Sequence, residues 1–107
     1  GSMRAAFEHL AEFADPGKLI LLLGEMRELG PESEAAHREI YGLAARLFPG
    51  ARIVTVGDGF RNAGGGEHFA SAADARRVTA EAKPGDLVFA KGSRGIGVEA
   101  ALPEEAR

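Results

Sequence analysis

Lys18–Leu23 reads KLILLL, and this short run decides the fold because every position from Leu19 onward is apolar. A strand with one face in water alternates apolar and polar residues, whereas a strand covered on both faces is continuously apolar. Asp15-Pro16-Gly17 precedes the run and Gly24 follows it, and such residues interrupt regular structure. The stretch therefore predicts a buried strand of a parallel sheet.

Strand-like and helix-like segments alternate on both sides of this run. Brief apolar clusters predict further strands at 52–56 (RIVTV), 67–70 and 86–90 (DLVFA), the last of them also buried. Apolar residues at helical spacing predict helices at 3–14, 31–48, 71–83 and 98–106, with Ser71 and Asp74 at the spacing of a helix-capping pair. Strands separated by helices predict a three-layer α/β domain with a mostly parallel sheet.

The composition is that of an ordinary globular protein. The chain has 107 residues, 45% of them apolar and 27% charged, with a net charge of −3 at pH 7. This length suits one domain, and the acidic balance argues against a general nucleic-acid binder, which needs a basic surface. The longest apolar run is too short to span a membrane. The chain has no cysteine, which excludes disulfides and thiolate chemistry and fits a reducing compartment.

The loops that follow the strands are the places where open α/β sheets bind ligands. These loops are 24–30, 57–66 and 91–97. Residues 91–95 place two cations, a hydroxyl and backbone N–H groups after a strand, which favours a carboxylate or phosphate ligand. A solvated basic turn would have the same residues. Glu25 and Glu28 could form an acid–base pair or bind Mg²⁺, although a solvated helical turn is the commoner reason for such a pair.

Several familiar sites are absent from the sequence. No phosphate loop of the G-x-x-x-x-G-K-[ST] type occurs, and Gly57-Asp58-Gly59 begins a dinucleotide fingerprint that has Asn62 in place of the last glycine. The histidines have no partner at metal-ligand spacing, so we predict no zinc site. His37, alone on its helix, is best interpreted as a structural hydrogen-bonding residue.

Two longer motifs resemble segments of the Mur ligase family. Residues 22–30 read LLGEMRELG and are followed by Glu32-Ser33 and His37, similar to the family segment LGDMxELGxxSxxxH. Residues 85–94 read GDLVFAKGSR, similar to the family's GDxVLVKGSR. Shorter similarities at 2–6, 68–69 and 98–99 occur in the same order, so the resemblance covers nearly the whole chain. It is strongest to the members that use D-alanyl-D-alanine as the acceptor.

The resemblance implies an ATP-dependent carboxylate–amine ligase of peptidoglycan precursor synthesis in the cytoplasm. In this family ATP phosphorylates the terminal carboxylate of a UDP-MurNAc-tripeptide, and the amine of D-alanyl-D-alanine attacks the acyl phosphate. The phosphate loop, the Mg²⁺ ligands and the sugar-nucleotide site lie in two preceding domains. Residues 1–107 then correspond to the C-terminal domain, which closes over those domains and by itself binds neither ATP nor Mg²⁺.

The resemblance also implies the site residues, none of them catalytic or metal-binding. Those that bind substrate are Gly24, Glu25, Met26, Lys91, Gly92, Ser93 and Arg94, with Glu28 and His37 supporting them. Glu25 stands where the family usually has Asp.

The resemblance further implies a truncated domain. A family strand lies upstream of residue 1, so we expect a Rossmann-like domain that lacks its first strand and is inactive alone. Two alternatives stay open. One is a stand-alone module that binds a small anion at 91–95 without catalysis, and the other is a related ligase with another acceptor amine.

Overall fold

The computed structural model describes residues 2–27, 30–92 and 97, which form three α-helices and four strands. The helices are α1 (Ser2–Ala11), α2 (Ser33–Leu47) and α3 (Arg76–Ala80). The strands are β1 (Leu19–Gly24), β2 (Arg52–Val56), β3 (Glu67–Phe69) and β4 (Leu87–Lys91). Single turns of 3-10 helix lie at Pro16–Lys18, Gly30–Glu32 and Asp58–Phe60. The helix predicted at 98–106 lies outside the described residues.

The four strands form one parallel sheet in the order β3-β2-β1-β4. β1 is an interior strand, with Leu21 beside Ile53 of β2 and Phe89 of β4. All six residues of β1 are buried, as its continuous apolar run predicts. From β1 the chain moves outward to β2 and β3, and β4 then lies on the opposite side of β1.

Alternate residues of β1 contribute to two separate cores. Leu19, Leu21 and Leu23 pack with the apolar faces of α1 and α2, where the Phe7 and Phe48 rings meet edge to face at 5.9 Å. On the other face the residues in contact come from β1, β2 and the α3 segment, namely Ile20, Leu22, Val54, Val56, Ala72, Ala75 and Val78. Helices thus cover both faces of the sheet, which confirms the predicted three-layer, Rossmann-like α/β fold.

β4 is not the buried strand that its sequence predicts. Its first residue, Leu87, is 40% exposed, and the other four residues are half-buried. Within the described residues β4 pairs with β1 alone and forms an edge of the sheet. The prediction of burial was wrong because a continuous apolar run gives the character of a strand's faces and not the number of its neighbours.

The third helix is shorter than the predicted 71–83. The Ser71 hydroxyl accepts the Asp74 N–H at 3.3 Å, which is the expected capping contact. The N–H groups of Ala75 and Arg76, however, donate to carbonyls three residues earlier. Bonds with that spacing belong to tight turns and not to an α-helix. The segment is therefore turned at 72–75 and α-helical only at Arg76–Ala80.

Candidate functional site

The carboxyl ends of β1 and β4 mark the place where this fold is expected to bind a ligand. After β1 the chain continues toward β2 on one side, while β4 lies on the other side. Open α/β sheets bind ligands in a crevice outside the carboxyl ends of their strands, so the ends of β1 and β4 mark the expected crevice. Gly24 ends β1 and Lys91 ends β4, with Lys91 paired to Leu23. The two longer motifs of the sequence therefore meet at this crevice.

Glycines let the two backbones come together at the crevice. A Cβ atom at position 92 would lie 2.7 Å from the Cα of Gly24 and 3.0 Å from its carbonyl carbon and oxygen. Real side chains do not tolerate such distances to backbone atoms, so position 92 requires glycine for a steric reason.

The structure describes most but not all of the predicted site residues. Lys91 is half-buried and forms no ion pair within the described residues. Glu25 and Met26 follow β1 directly and are half-buried. Glu28, Ser93 and Arg94 lie outside the described residues. The substrate-binding role of all of these residues stays a prediction.

His37 is fully buried and joins the first turn of α2 to the loop after β1. Its Nε2 accepts the Met26 N–H at 2.9 Å, and its Nδ1 lies 2.6 Å from the Ser33 carbonyl oxygen. Because a carbonyl cannot donate, Nδ1 carries the proton and Nε2 presents its lone pair. The ring also meets Phe60 edge to face, with centroids 4.6 Å apart. These contacts fix the backbone at Met26, which is the geometry that a supporting residue would need.

Glu25 joins the loop after β1 to the loop after β2. Its Oε2 accepts the Gly59 N–H at 2.9 Å, and its Oε1 lies 3.7 Å from the Arg27 guanidinium. Gly57 has a φ of +100°, and a Cβ there would lie 2.9 Å from the Glu25 side chain. The loop after β2 is therefore packed directly on the Glu25 side chain.

Beside these contacts lies a cleft of about 330 Å³ that sequence reasoning did not include in the site. It opens between the start of α2 and the loop after β2. Its lining residues are Gly30, Pro31, Ser33, Glu34, Asp58, Gly59 and Asn62. Loop 57–66 was predicted to lie at the ligand-binding edge of the sheet, but the sequence singles out none of its residues as a site residue.

Two titratable groups, one in the loop after β2 and one on β3, have shifted pKa values. Arg61 donates to Asp58 at 2.6 Å and lowers the pKa of that carboxyl. Burial is the main reason why the pKa of His68 is lowered from its ordinary value of 6.5. The His68 Nδ1 lies 2.8 Å from the Thr55 hydroxyl, whereas its Nε2 is buried without a hydrogen-bond partner. Burial therefore favours the neutral form of this imidazole, which lies beside Thr55 where β2 and β3 pair.

Within the described residues the structure has neither a group of metal ligands nor a membrane-spanning helix. No three His, Asp or Glu side chains among residues 2–27, 30–92 and 97 are grouped closely enough to hold a metal ion. In that part of the chain no helix is both long and apolar enough to cross a lipid bilayer.

Known proteins similar to this chain identify its family. Residues 1–94 match the family model described as Mur ligase, glutamate ligase domain. The UDP-N-acetylmuramoyl-tripeptide--D-alanyl-D-alanine ligase of Escherichia coli (strain K12) is 46% identical over 74 residues. That alignment covers 65% of this chain but 16% of the relative, so the chain spans a small part of the relative's length. The family match covers most of the sequence, and the chain therefore belongs to the Mur ligase family, whose glutamate ligase domain it matches.

Proposed function

We propose that this chain is the C-terminal domain of a ligase that joins D-alanyl-D-alanine to UDP-MurNAc-tripeptide in the cytoplasm. The observation that carries the proposal is the meeting of Gly24 and Gly92 at the crevice between β1 and β4. These glycines belong to the two motifs that resemble the ligases using this acceptor. The 46% identity to the UDP-N-acetylmuramoyl-tripeptide--D-alanyl-D-alanine ligase of Escherichia coli supports the same acceptor.

In the proposed reaction ATP supplies the leaving group. The terminal carboxylate of the tripeptide accepts the γ-phosphoryl group and becomes an acyl phosphate, with release of ADP. The dipeptide amine then attacks the acyl carbon, phosphate leaves, and the amine loses a proton as the amide forms. The described residues contain neither a phosphate loop nor a group of metal ligands. On the family resemblance we assign ATP and Mg²⁺ to preceding domains of a longer chain.

The part of the reaction assigned to this chain is to hold the acceptor. Lys91 at the end of β4 supplies a cation for the dipeptide carboxylate, and Ser93 and Arg94 follow it in sequence. A charge-assisted hydrogen bond to the carboxylate would orient the free amine toward the acyl phosphate. Met26, whose N–H is bonded to His37, gives the other side of the crevice a fixed backbone.

A ligation assay tests the proposal. The longer chain that contains residues 1–107 is incubated with UDP-MurNAc-tripeptide, D-alanyl-D-alanine and ATP, and the product is followed by mass spectrometry together with released phosphate. We expect the pentapeptide product from the longer chain and none from the 107-residue chain alone. Preference for a single amino acid over the dipeptide would contradict the proposed acceptor. Turnover by the purified 107-residue chain would contradict its assignment as an inactive domain.

A second candidate function is a stand-alone module that binds a small anion. The half-buried Lys91, which forms no ion pair within the described residues, favours it. Calorimetric titration of the 107-residue chain with acetate, phosphate and D-alanyl-D-alanine distinguishes the two. Tight binding of a simple anion by a chain that occurs in the cell at 11.2 kDa supports the module. A native polypeptide several-fold heavier supports the ligase domain.

A further inference from the structure

The carboxylate of Glu25 is engaged by the protein itself. Only 19% of this side chain is exposed, and its Oε2 accepts the Gly59 N–H at 2.9 Å. Its Oε1 faces Arg27 at 3.7 Å, a distance typical of a weak ion pair beside solvent. The main contact of Glu25 is therefore a hydrogen bond to the backbone of the loop after β2.

The loop after β2 is shaped to fit the Glu25 side chain. At Gly57 a Cβ atom would lie 2.9 Å from both Cγ and Cδ of Glu25. At Gly59 a Cβ atom would lie 3.0 Å from the Cβ of Glu25 and 2.7 Å from Cε1 of His37. The loop thus contacts the side chain along its length, and only hydrogen atoms fit at these two positions.

The segment after β1, residues 25 and 26, is fixed at two further points. The Glu25 N–H donates to the Val56 carbonyl at 2.9 Å, and the Met26 N–H donates to His37 Nε2 at 2.9 Å. Residues 25 and 26 are therefore held by the end of β2, by the loop after β2 and by α2. They follow Gly24 directly, so their position is fixed next to the carboxyl end of β1.

The length of the side chain is what the Gly59 contact needs. An aspartate is shorter by one methylene, about 1.5 Å, which would place its oxygen near or beyond 4 Å from the Gly59 nitrogen. A glutamine has the length of glutamate, and its carbonyl oxygen also accepts an N–H, without the added strength that a charged acceptor gives. The substitutions Glu25→Asp and Glu25→Gln therefore separate the effect of side-chain length from the effect of side-chain charge.

We propose that Glu25 is a positioning residue that acts through its reach, holding the loop after β2 on the loop after β1 so that the acceptor side of the crevice keeps its shape. The proposed role of Glu25 rests on the proposed function, because the reaction that Glu25 would serve is the proposed ligation. It differs from the role that the family resemblance implies, in which Glu25 contacts the substrate.

Steady-state kinetics of the ligase test the role. We expect Glu25→Asp to raise the KM for D-alanyl-D-alanine by up to about tenfold, because the Gly59 hydrogen bond lies within the protein and its free energy limits the effect on substrate binding. Glu25→Gln should raise that KM by a clearly smaller factor, and the KM for ATP should not change in either variant. Glu39→Gln, at an exposed position of α2, is the matched control for the loss of a carboxylate.

The pattern of kinetic changes separates positioning from other roles. A purely structural role would lower the folded fraction and therefore kcat, with the KM for the dipeptide unaltered in both variants. Direct contact with substrate through charge would make Glu25→Gln the more damaged variant. Either pattern would overturn the proposal.

Hydrogen exchange in the 107-residue chain tests the contact independently of any activity. We expect the Gly59 amide to be protected in the wild type and in Glu25→Gln and to exchange faster in Glu25→Asp. The Met26 amide, whose acceptor is His37, should stay protected in all three and serves as the internal control. An unprotected Gly59 amide in the wild type would overturn the proposal. A ligase that does not use D-alanyl-D-alanine would instead contradict the proposed function, because the exchange rates report the contact whatever the acceptor is.

Discussion

At position 59 the structure has room for a hydrogen atom and for nothing larger. Gly59→Ala would bring a methyl group within 2.7 Å of the His37 ring and 3.0 Å of the Glu25 Cβ. Because His37 is buried and bonded at both ring nitrogens, it cannot move aside cheaply. We expect a loss of about 1–3 kcal/mol in the free energy of unfolding, measured by urea denaturation.

Gly66→Ala is the matched control for this prediction. Position 66 lies in the same loop, has open space where the alanine methyl group would lie and is not among the glycines with positive φ. The control should leave the unfolding free energy within about 0.5 kcal/mol of the wild type. Equal losses in the two variants would show that position 59 is no more crowded than position 66.

Lys91 is the described residue with which the dipeptide-binding role can be tested. Lys91→Met retains much of the side-chain volume and removes the charge, so in the ligase the KM for D-alanyl-D-alanine should rise. Loss of a hydrogen bond to a charged group corresponds to about 1.5–3 kcal/mol, or roughly tenfold and more in KM. Lys83→Met removes a lysine at the other end of the sheet, beside the start of β1, and should leave that KM unaltered. An unaltered KM in Lys91→Met would remove this side chain from the site.

Single residues also show the limit of sequence reasoning about the site. The place of Gly24, Gly92 and Lys91 could be predicted because each directly follows or ends an apolar strand, and the ends of parallel strands share one edge of the sheet. Their role is what the family resemblance implies. The contacts of Glu25 and His37 with the loop after β2 could not, since they depend on how two distant loops fold against each other. No spacing in the sequence encodes that arrangement.

Among the elements, α2 carries a glycine that the helix does not need. Gly42 lies within Ser33–Leu47, and a Cβ there would meet only the end of the Arg46 side chain at 3.6 Å. Gly42→Ala should therefore raise the free energy of unfolding by about 0.5–1 kcal/mol, because alanine loses less backbone entropy in a helix. Thermal unfolding followed by circular dichroism measures the change.

Gly50 provides the contrasting case just after the same helix. The space that an alanine methyl group would occupy there is equally open, but the φ of +88° is one that other residues adopt only with strain. Gly50→Ala should lower the melting temperature where Gly42→Ala raises it. A rise in both variants would mean that open space, and not backbone conformation, governs these positions.

At the scale of elements, the order of helices and strands was predictable and their lengths and neighbours were less so. The continuous apolar run at Leu19–Gly24 identified an interior strand because both of its faces are covered. The similar run in β4 occurs at an edge of the described sheet. α3 is short because tight turns satisfy the backbone at 72–75, and a capping pair is compatible with either conformation.

For the whole molecule, the shifted pKa values predict loss of stability in acid in two stages. The pKa of His68 is lower in the folded chain than its ordinary 6.5, mainly because of burial, so the unfolded chain binds the proton more readily and stability falls as the pH drops below about 6.5. The pKa values of Glu67 and Asp58 are lowered by hydrogen bonds from Arg52 and Arg61. Their contributions are present above the ordinary values of 4.5 and 3.8 and are lost as the pH falls further.

Urea midpoints measured from pH 7 to pH 3 test this order. His68→Gln should flatten the upper stage, between about pH 7 and pH 5, while the lower stage persists because the Arg52–Glu67 pair is intact. An unchanged slope in the upper stage would show that His68 does not titrate differently in the two states.

The strand order of the whole sheet has a consequence for how the protein assembles. β1 can pair with β2 after a short crossover, but its pairing with β4 joins Leu19 to Leu87 across most of the chain. Closing so long a loop is entropically slow, and during synthesis β4 leaves the ribosome after the other three strands. Pulse-labelled exchange should therefore find the β4 amides protected last. If β4 pairs last, Gly92 reaches Gly24 only at that final step, so the predicted site would form after the rest of the sheet.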